Sequence, residues 1–361
     1  MTQNTHDYKR ILIANPFGIG DVLFSTPLVR NLRMFFPEAH IAYLANTRTS
    51  ELLRYYPKID EVFVFDKGEY RTTYACSRRE AWGGLFRLLR VLRAQRFDIV
   101  FDLSLSRQYG FFLALLGIPV RVGYDFKKRG MFLTHKKVLQ GYCEKHIAAY
   151  YLELLPLIQK TYVPCDTEIE VPEGFSRDAQ RFLAQSSGSP LIAVAPGGGL
   201  TWGPHASYKQ WDRARFKEVV CYLTTRYRAR VLLFGDSFDE DLCDDIARDA
   251  GPFCINVCAK TTLMTMAALL KESTLLVSND SGILHLAVAL GLKTISLYGP
   301  VDERVYGPYA QDMSRHSVLT ASCGCRPCYQ RFKFEPCGHR RCLEEISFER
   351  VRGAIDSSLK S

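Results

Sequence analysis

Long apolar runs are missing from this sequence. The longest, Phe111 to Ile118, is far short of the roughly 20 residues that a membrane-spanning helix needs, which excludes such a helix. The first fifteen residues, MTQNTHDYKRILIAN, hold no apolar core and no small-residue cleavage signal. They therefore do not read as a secretory leader, and the expected location is the cytoplasm. Low-complexity tracts are absent too, which excludes a largely disordered chain. Acidic residues are outnumbered, 38 against 47 basic, for a net charge of +9. That excess is too small for a dedicated nucleic-acid binder, and nucleic acid is not expected as a partner. It suits anionic substrates, or peripheral contact with the anionic cytoplasmic face of an inner membrane. Cysteine is not scarce, at twelve residues. In a chain of this length without a leader, most of them read as reduced thiols.

At 361 residues, 47% of them hydrophobic, the chain is long enough for two domains. Strand-like apolar runs alternate with helical patterns: Arg10 to Ala14, a helix from Asp21 to Phe36 stopped by Pro37, Ile41 to Ala45, Glu61 to Phe65, a helix from Trp82 to Gln95, and Phe97 to Asp102. Between Pro164 and Pro190 the pattern weakens, punctuated by Pro172, Gly174 and Gly188. A second series follows: Leu191 to Ala195, Arg230 to Phe234, Leu275 to Ser278 and Thr294 to Tyr298 as strands, with helices between. This alternation predicts an α/β protein with two doubly wound parallel sheets. The expected division is a domain over 1–170, a second over 185–345, and a closing helix in 346–361. Ligands in such folds sit at the carboxyl ends of the strands.

The strand-end motifs carry the chemistry. Pro16-Phe17-Gly18-Ile19-Gly20-Asp21-Val22-Leu23 begins like a dinucleotide loop, but Leu23 stands where the third glycine belongs, and Asp21 would meet a phosphate with a like charge. Asn279-Asp280-Ser281-Gly282 opens a helix with bare backbone N–H groups, a ready anion site. The blander reading is a plain N-cap. His285 lies four residues beyond Ser281, on the same helix face. Pro196-Gly197-Gly198-Gly199 allows close backbone approach to a phosphate at Gly197 and Gly198, without the Gly-Lys-Ser/Thr ending of a Walker loop. Lys209 is the nearest ammonium to it. Arg71 and Arg107 are placed to line an acceptor surface, or are simply solvated. Cys325, Cys328, Cys337 and Cys342, with Cys323 and His339 nearby, leave open a structural zinc, a reduced thiol cluster or one disulfide.

Taken in order, four marks resemble glycosyltransferase family nine, the lipopolysaccharide heptosyltransferases. They are Gly18 to Leu28 with Phe36-Pro37-Glu38-Ala39; Ser278 to Gly282 with His285-Leu286-Ala287 and Leu297 to Pro300; Lys209-Gln210-Trp211; and the tail from Cys325-Arg326-Pro327-Cys328 through Cys342 to Ile346. The resemblance implies a GT-B fold of two Rossmann-like domains facing a cleft, with acceptor on the first and donor on the second. It implies that the closing helix crosses back to the first domain. The implied donor is an ADP-activated heptose and the implied acceptor a lipid A–core oligosaccharide. Transfer would be inverting, with no cofactor or metal required. Asp21 matches the family's base, with Gly20 beside the acceptor. Lys209, Asp280, Ser281, Gly282 and His285 match its diphosphate seat, Asp239 a ribose contact and Thr261 an adenine contact.

Two departures bear on which sugar is handled. Asn15 ends the first strand where the family often carries a basic residue, and the loop from Gly199 to Lys209 holds Trp202, Pro204 and His205. Two rival readings remain at this stage. One is a nucleotide-sugar or nicotinamide oxidoreductase, from the paired Rossmann-like halves. The other is a zinc-dependent binding or scaffold protein, from the cysteines.

Overall fold

Ile11, Leu12 and Ile13 are fully buried in one short strand, with no polar residue between them. Such a strand belongs inside a parallel sheet covered by helices on both faces, and the computed structural model shows that sheet. It describes residues 7–183 and 189–360. The first six residues, and the reading of Gly188 and of a domain start at 185, lie outside them.

The described residues up to Tyr142, with Ile147–Cys165, form one compact unit, and Cys143–His146 with those from Asp166 onward form a second. In the first, β1 (Arg10–Ala14), β2 (His40–Ala45), β3 (Glu61–Val64), β4 (Ile99–Asp102), β5 (Val120–Phe126) and β6 (His135–Leu139) make a six-stranded sheet of order β3-β2-β1-β4-β5-β6. Its pairs are parallel, with Ile11 opposite Ile41 on one side and Ile99 on the other. The second unit repeats the plan. There β7 (Leu191–Ala195), β8 (Arg230–Leu233), β9 (Cys254–Asn256), β10 (Leu275–Asn279), β11 (Lys293–Tyr298) and β12 (His316–Thr320) take the order β12-β11-β10-β7-β8-β9. Counted within each unit, both orders are 3-2-1-4-5-6, the doubly wound arrangement whose strand order reverses beside its first strand.

Three elements differ from the expectation. The helix over Asp21 to Phe36 is two helices, Ile19–Phe24 and Thr26–Phe35. Pro27 is the reason: in a continuous helix it would clash with the Leu23 carbonyl and leave it without a donor. Here Pro27 sits in a first turn, and the Thr26 hydroxyl donates to that carbonyl at 2.7 Å. The stretch read as a boundary contains a helix, Glu173–Leu183. The closing helix, Phe348–Lys360, packs on helix Arg213–Arg226 and on β11 and β12. Tyr222 and Tyr227 donate to Asp356 at 2.6 and 2.7 Å, tying it there. It is therefore counted with the second unit. Among the described residues no helix is long and apolar enough to cross a membrane.

Candidate functional site

β7 and β10 are neighbours where the second sheet reverses its order, and the glycine and serine motifs follow them directly. Asn279, fully buried at the end of β10, joins the two. Its Nδ2 donates to the carbonyls of Pro196 (2.7 Å) and Gly197 (3.2 Å), and its Oδ1 accepts from the Trp211 N–H at 3.1 Å. One side chain thus holds the Gly197 loop, the Lys209-Gln210-Trp211 segment and the strand end in one place.

Next to it Lys209 Nζ meets Asp280 Oδ2 at 2.8 Å, both side chains only 8% exposed. His285 Nε2 lies 3.7 Å from the other carboxylate oxygen. Burial alone would push the Asp280 carboxyl up. Lys209 and His285 outweigh that, and it is held below the usual carboxylate value. Ser281 caps helix Gly282–Ala289, so the first N–H groups of a helix that is apolar apart from His285 start beside this ion pair. The Lys209 ammonium also lies 5.2 Å from the ring centre of Trp202.

Gly197 and Gly198 have no room for a side chain. A Cβ on Gly197 would overlap the Asp239 carboxylate, and one on Gly198 would run into the Ala206 carbonyl. Asp239 is therefore part of the same site. It is buried, and its pKa is raised to about 6 by that burial and by Asp236, against a bond from the Asp236 N–H. Thr261 stands further along, beyond β9, its hydroxyl buried without a hydrogen-bond partner.

In the first unit Gly20 and Asp21 follow β1, the matching position of that sheet. Gly18 caps the short helix that holds Asp21 in its first turn. Asn46 Nδ2 donates to the carbonyls of Pro16 and Phe17, and Asn15 Nδ2 to that of Asp21 at 3.1 Å. The carboxylate is close enough to Tyr43, Tyr142 and Tyr151 to help burial raise all three phenols. Arg71 and Arg107 line one cavity together, with Lys67. Gly20 and Asp21 are not among its lining residues.

The tail cysteines lie close enough for Cys323, Cys325, Cys328 and Cys337 all to raise the Cys342 thiol, pushed to about 12 mainly by burial. All are free thiols, and Cys323 and Cys325 approach to 3.7 Å. Among the described residues no group of three or more side chains is arranged to hold a metal ion. Of Cys325, Cys328, Cys337 and Cys342, only Cys342 is buried, and Cys325 is exposed.

The sequence reading missed His146. It belongs to the Cys143–His146 segment of the second unit. Its Nε2 donates to the Gly307 carbonyl at 3.0 Å and its ring stacks on Tyr309. Burial lowers its pKa to about 3, the Gly307 bond opposes, and His285 lowers it further. No local pattern announces this role, because the partners are about 160 residues away in sequence.

Comparison with known proteins follows the same lines. The profile of "Glycosyltransferase family 9 (heptosyltransferase)" matches residues 85–338. Lipopolysaccharide heptosyltransferase 2 of Escherichia coli K12 is 27% identical over 302 residues, covering 81% of this chain and 83% of that protein. A family 9 glycosyltransferase structure from Veillonella parvula superposes with a TM-score of 0.81 at 26% identity, covering 99% of both chains. The E. coli ADP-heptose lps heptosyltransferase II structure gives 0.76 at 23% identity, covering 97% of this chain and 98% of that one, a likeness of fold.

Proposed function

The chain belongs to glycosyltransferase family 9, the heptosyltransferases, and from that premise we propose that it moves a heptose from ADP-heptose to a lipid A–core oligosaccharide with inversion. The observation that carries the donor half is the buried Lys209–Asp280 pair beside Gly197 and the helix that starts at Ser281. A nucleoside diphosphate needs a cation and backbone donors already aimed at the charge its departure develops. Lys209 supplies the first, and the N–H groups of Gly282 and its neighbours the second. Asp280 and His285 hold the ammonium in position, and Gly197 and Gly198 let the backbone approach the phosphates. Asp239 would accept from the ribose hydroxyls and Thr261 would face the adenine. Related proteins support this donor: one solved relative is described with ADP-2-deoxy-2-fluoro heptose.

Inverting transfer is an in-line displacement. The acceptor oxygen forms a bond to the anomeric carbon as the bond from that carbon to the diphosphate oxygen breaks. The hydroxyl proton passes to a base, and Asp21, with Gly20 beside it, is the carboxylate we assign. Arg71 and Arg107 would meet anionic groups of the acceptor. The charge of the leaving group is answered by Lys209 and the helix start, so the proposed step is routed through no metal. The +9 net charge suits work at the cytoplasmic face of an inner membrane.

A donor screen tests the reading. ADP-heptose, ADP-glucose, UDP-glucose and GDP-mannose are each offered with lipid A–core oligosaccharide, and the anomeric configuration of the product is read by NMR. The expected result is transfer from ADP-heptose with inversion, at least a hundred-fold faster than from the UDP and GDP donors. Transfer from a UDP- or GDP-sugar alone, or with retention, contradicts it.

A further inference from the structure

The cavity that Arg71 and Arg107 share has a chemistry that sugar transfer does not use. It lies within the first unit and encloses about 570 Å³, in the range of sites that bury a small ligand. Leu88, Leu89 and Leu92 of helix Arg78–Ala94 line it, with Phe112, Leu113 and Leu116 from the helix after β4 and its end. Its lining also includes Leu44 of β2 and Phe65 just beyond β3, near the carboxyl edge of the sheet whose β1 leads to Asp21.

Three features define what fits. The lining carries Lys67, Arg71 and Arg107 and no carboxylate. Tyr109, in the same lining, is only 8% exposed. Trp82 and Phe111, both lining residues, stay 45% and 47% exposed. An oligosaccharide or nucleotide would leave its hydroxyls unsatisfied against the leucine and phenylalanine wall. A hydrocarbon chain with an anionic head satisfies each feature: methylenes on the apolar and aromatic wall, and the anion on the arginines.

We propose that this cavity seats one acyl chain of the lipid-linked acceptor, with its anionic head on Arg71 and Arg107. The proposal rests on the acceptor assigned above. The shared charge pattern argues for this occupant over the apolar helix of a protein partner, for which three cations without a carboxylate offer no complement.

The test titrates the full chain with dodecyl phosphate below its micelle concentration, with dodecyl maltoside and inorganic phosphate alongside. The expected result is one dodecyl phosphate per chain, held at least ten-fold more tightly than the maltoside, with inorganic phosphate at least a hundred-fold weaker. Leu89→Trp, which fills the cavity, should weaken it at least ten-fold. Should that variant fail to fold, Arg71→Gln with Arg107→Gln, both at exposed positions, should erase the preference over the maltoside. A second arm measures transfer to acylated and fully deacylated lipid A–core at saturating donor. Leu89→Trp should raise KM for the acylated acceptor about ten-fold and leave the deacylated one unchanged. Absence of saturable binding, or binding indifferent to both sets of substitutions, overturns the seat, even if transfer proceeds normally. Equal rises in both KM values overturn it as well. Dodecyl phosphate binding with no transfer to either acceptor overturns instead the acceptor reading, and with it the source of the chain.

Discussion

Asp280 follows β10 and Asp239 follows β8; both are buried carboxylates, and their surroundings drive them in opposite directions. Asp280 is held below the ordinary value. Its contribution to stability is therefore present above the ordinary carboxylate range and is lost as pH falls through its folded value. Asp280→Asn leaves the Lys209 ammonium buried and uncompensated, a loss of about 3–5 kcal/mol for a pair of this kind. Urea unfolding should read that loss, and Lys209→Met with Asp280→Leu should recover most of it. Asp239 is raised to about 6. Between about pH 4 and 6 the folded chain then holds more protons than the unfolded chain, so this group makes stability fall as pH rises across that window. Asp239→Asn should remove the slope and stabilise the ligand-free protein at pH 7. If the ionised carboxylate takes the ribose hydroxyls, ADP-heptose binding strengthens as pH rises through about 6, and the substitution flattens that profile in calorimetry.

Among elements, the loops after β7 and β10 can form the proposed donor seat only because a few positions have no side chain or have one aimed inward. Gly197→Ala would put a methyl into the Asp239 carboxylate. It should weaken ADP-heptose binding at least ten-fold and lower Tm, both measured on the purified variant. These loops were legible in the sequence, since glycine, serine and aspartate directly after an apolar run mark a strand end. The strands themselves were legible for the same reason that they are buried: a parallel sheet covered on both faces needs unbroken apolar runs. Helix Lys67–Cys76 left no such trace, for none of its residues is buried. The Asn279 ties to Pro196 and Trp211 and the Lys209–Asp280 pair join residues roughly 70 to 80 apart in sequence. Only the fold shows such pairs. The break at Ser25 was written in Pro27, but the apolar periodicity on either side masked it.

At the scale of the whole molecule, two sheets share one strand order, and the proposed function divides the labour between them. Each reverses its order beside its first strand, and the loops that the proposed function uses follow there: Gly18 to Asp21 in the first unit, Gly197 in the second. Membership of a glycosyltransferase family removes the nicotinamide reading, in line with Leu23 in place of the third glycine. The thiols of the tail sit in the second unit, and among the described residues no group of three or more side chains is arranged to hold a metal ion. The proposed function assigns the base to the first unit and the donor seat to the second. Single-turnover transfer by Asp21→Asn, with ADP-heptose binding measured by calorimetry on the same sample, tests that division most directly. The expected rate is about 10²–10⁴-fold lower, with the donor Kd within about two-fold of the unsubstituted chain. Near-normal transfer, or a loss that follows weakened donor binding, would contradict it.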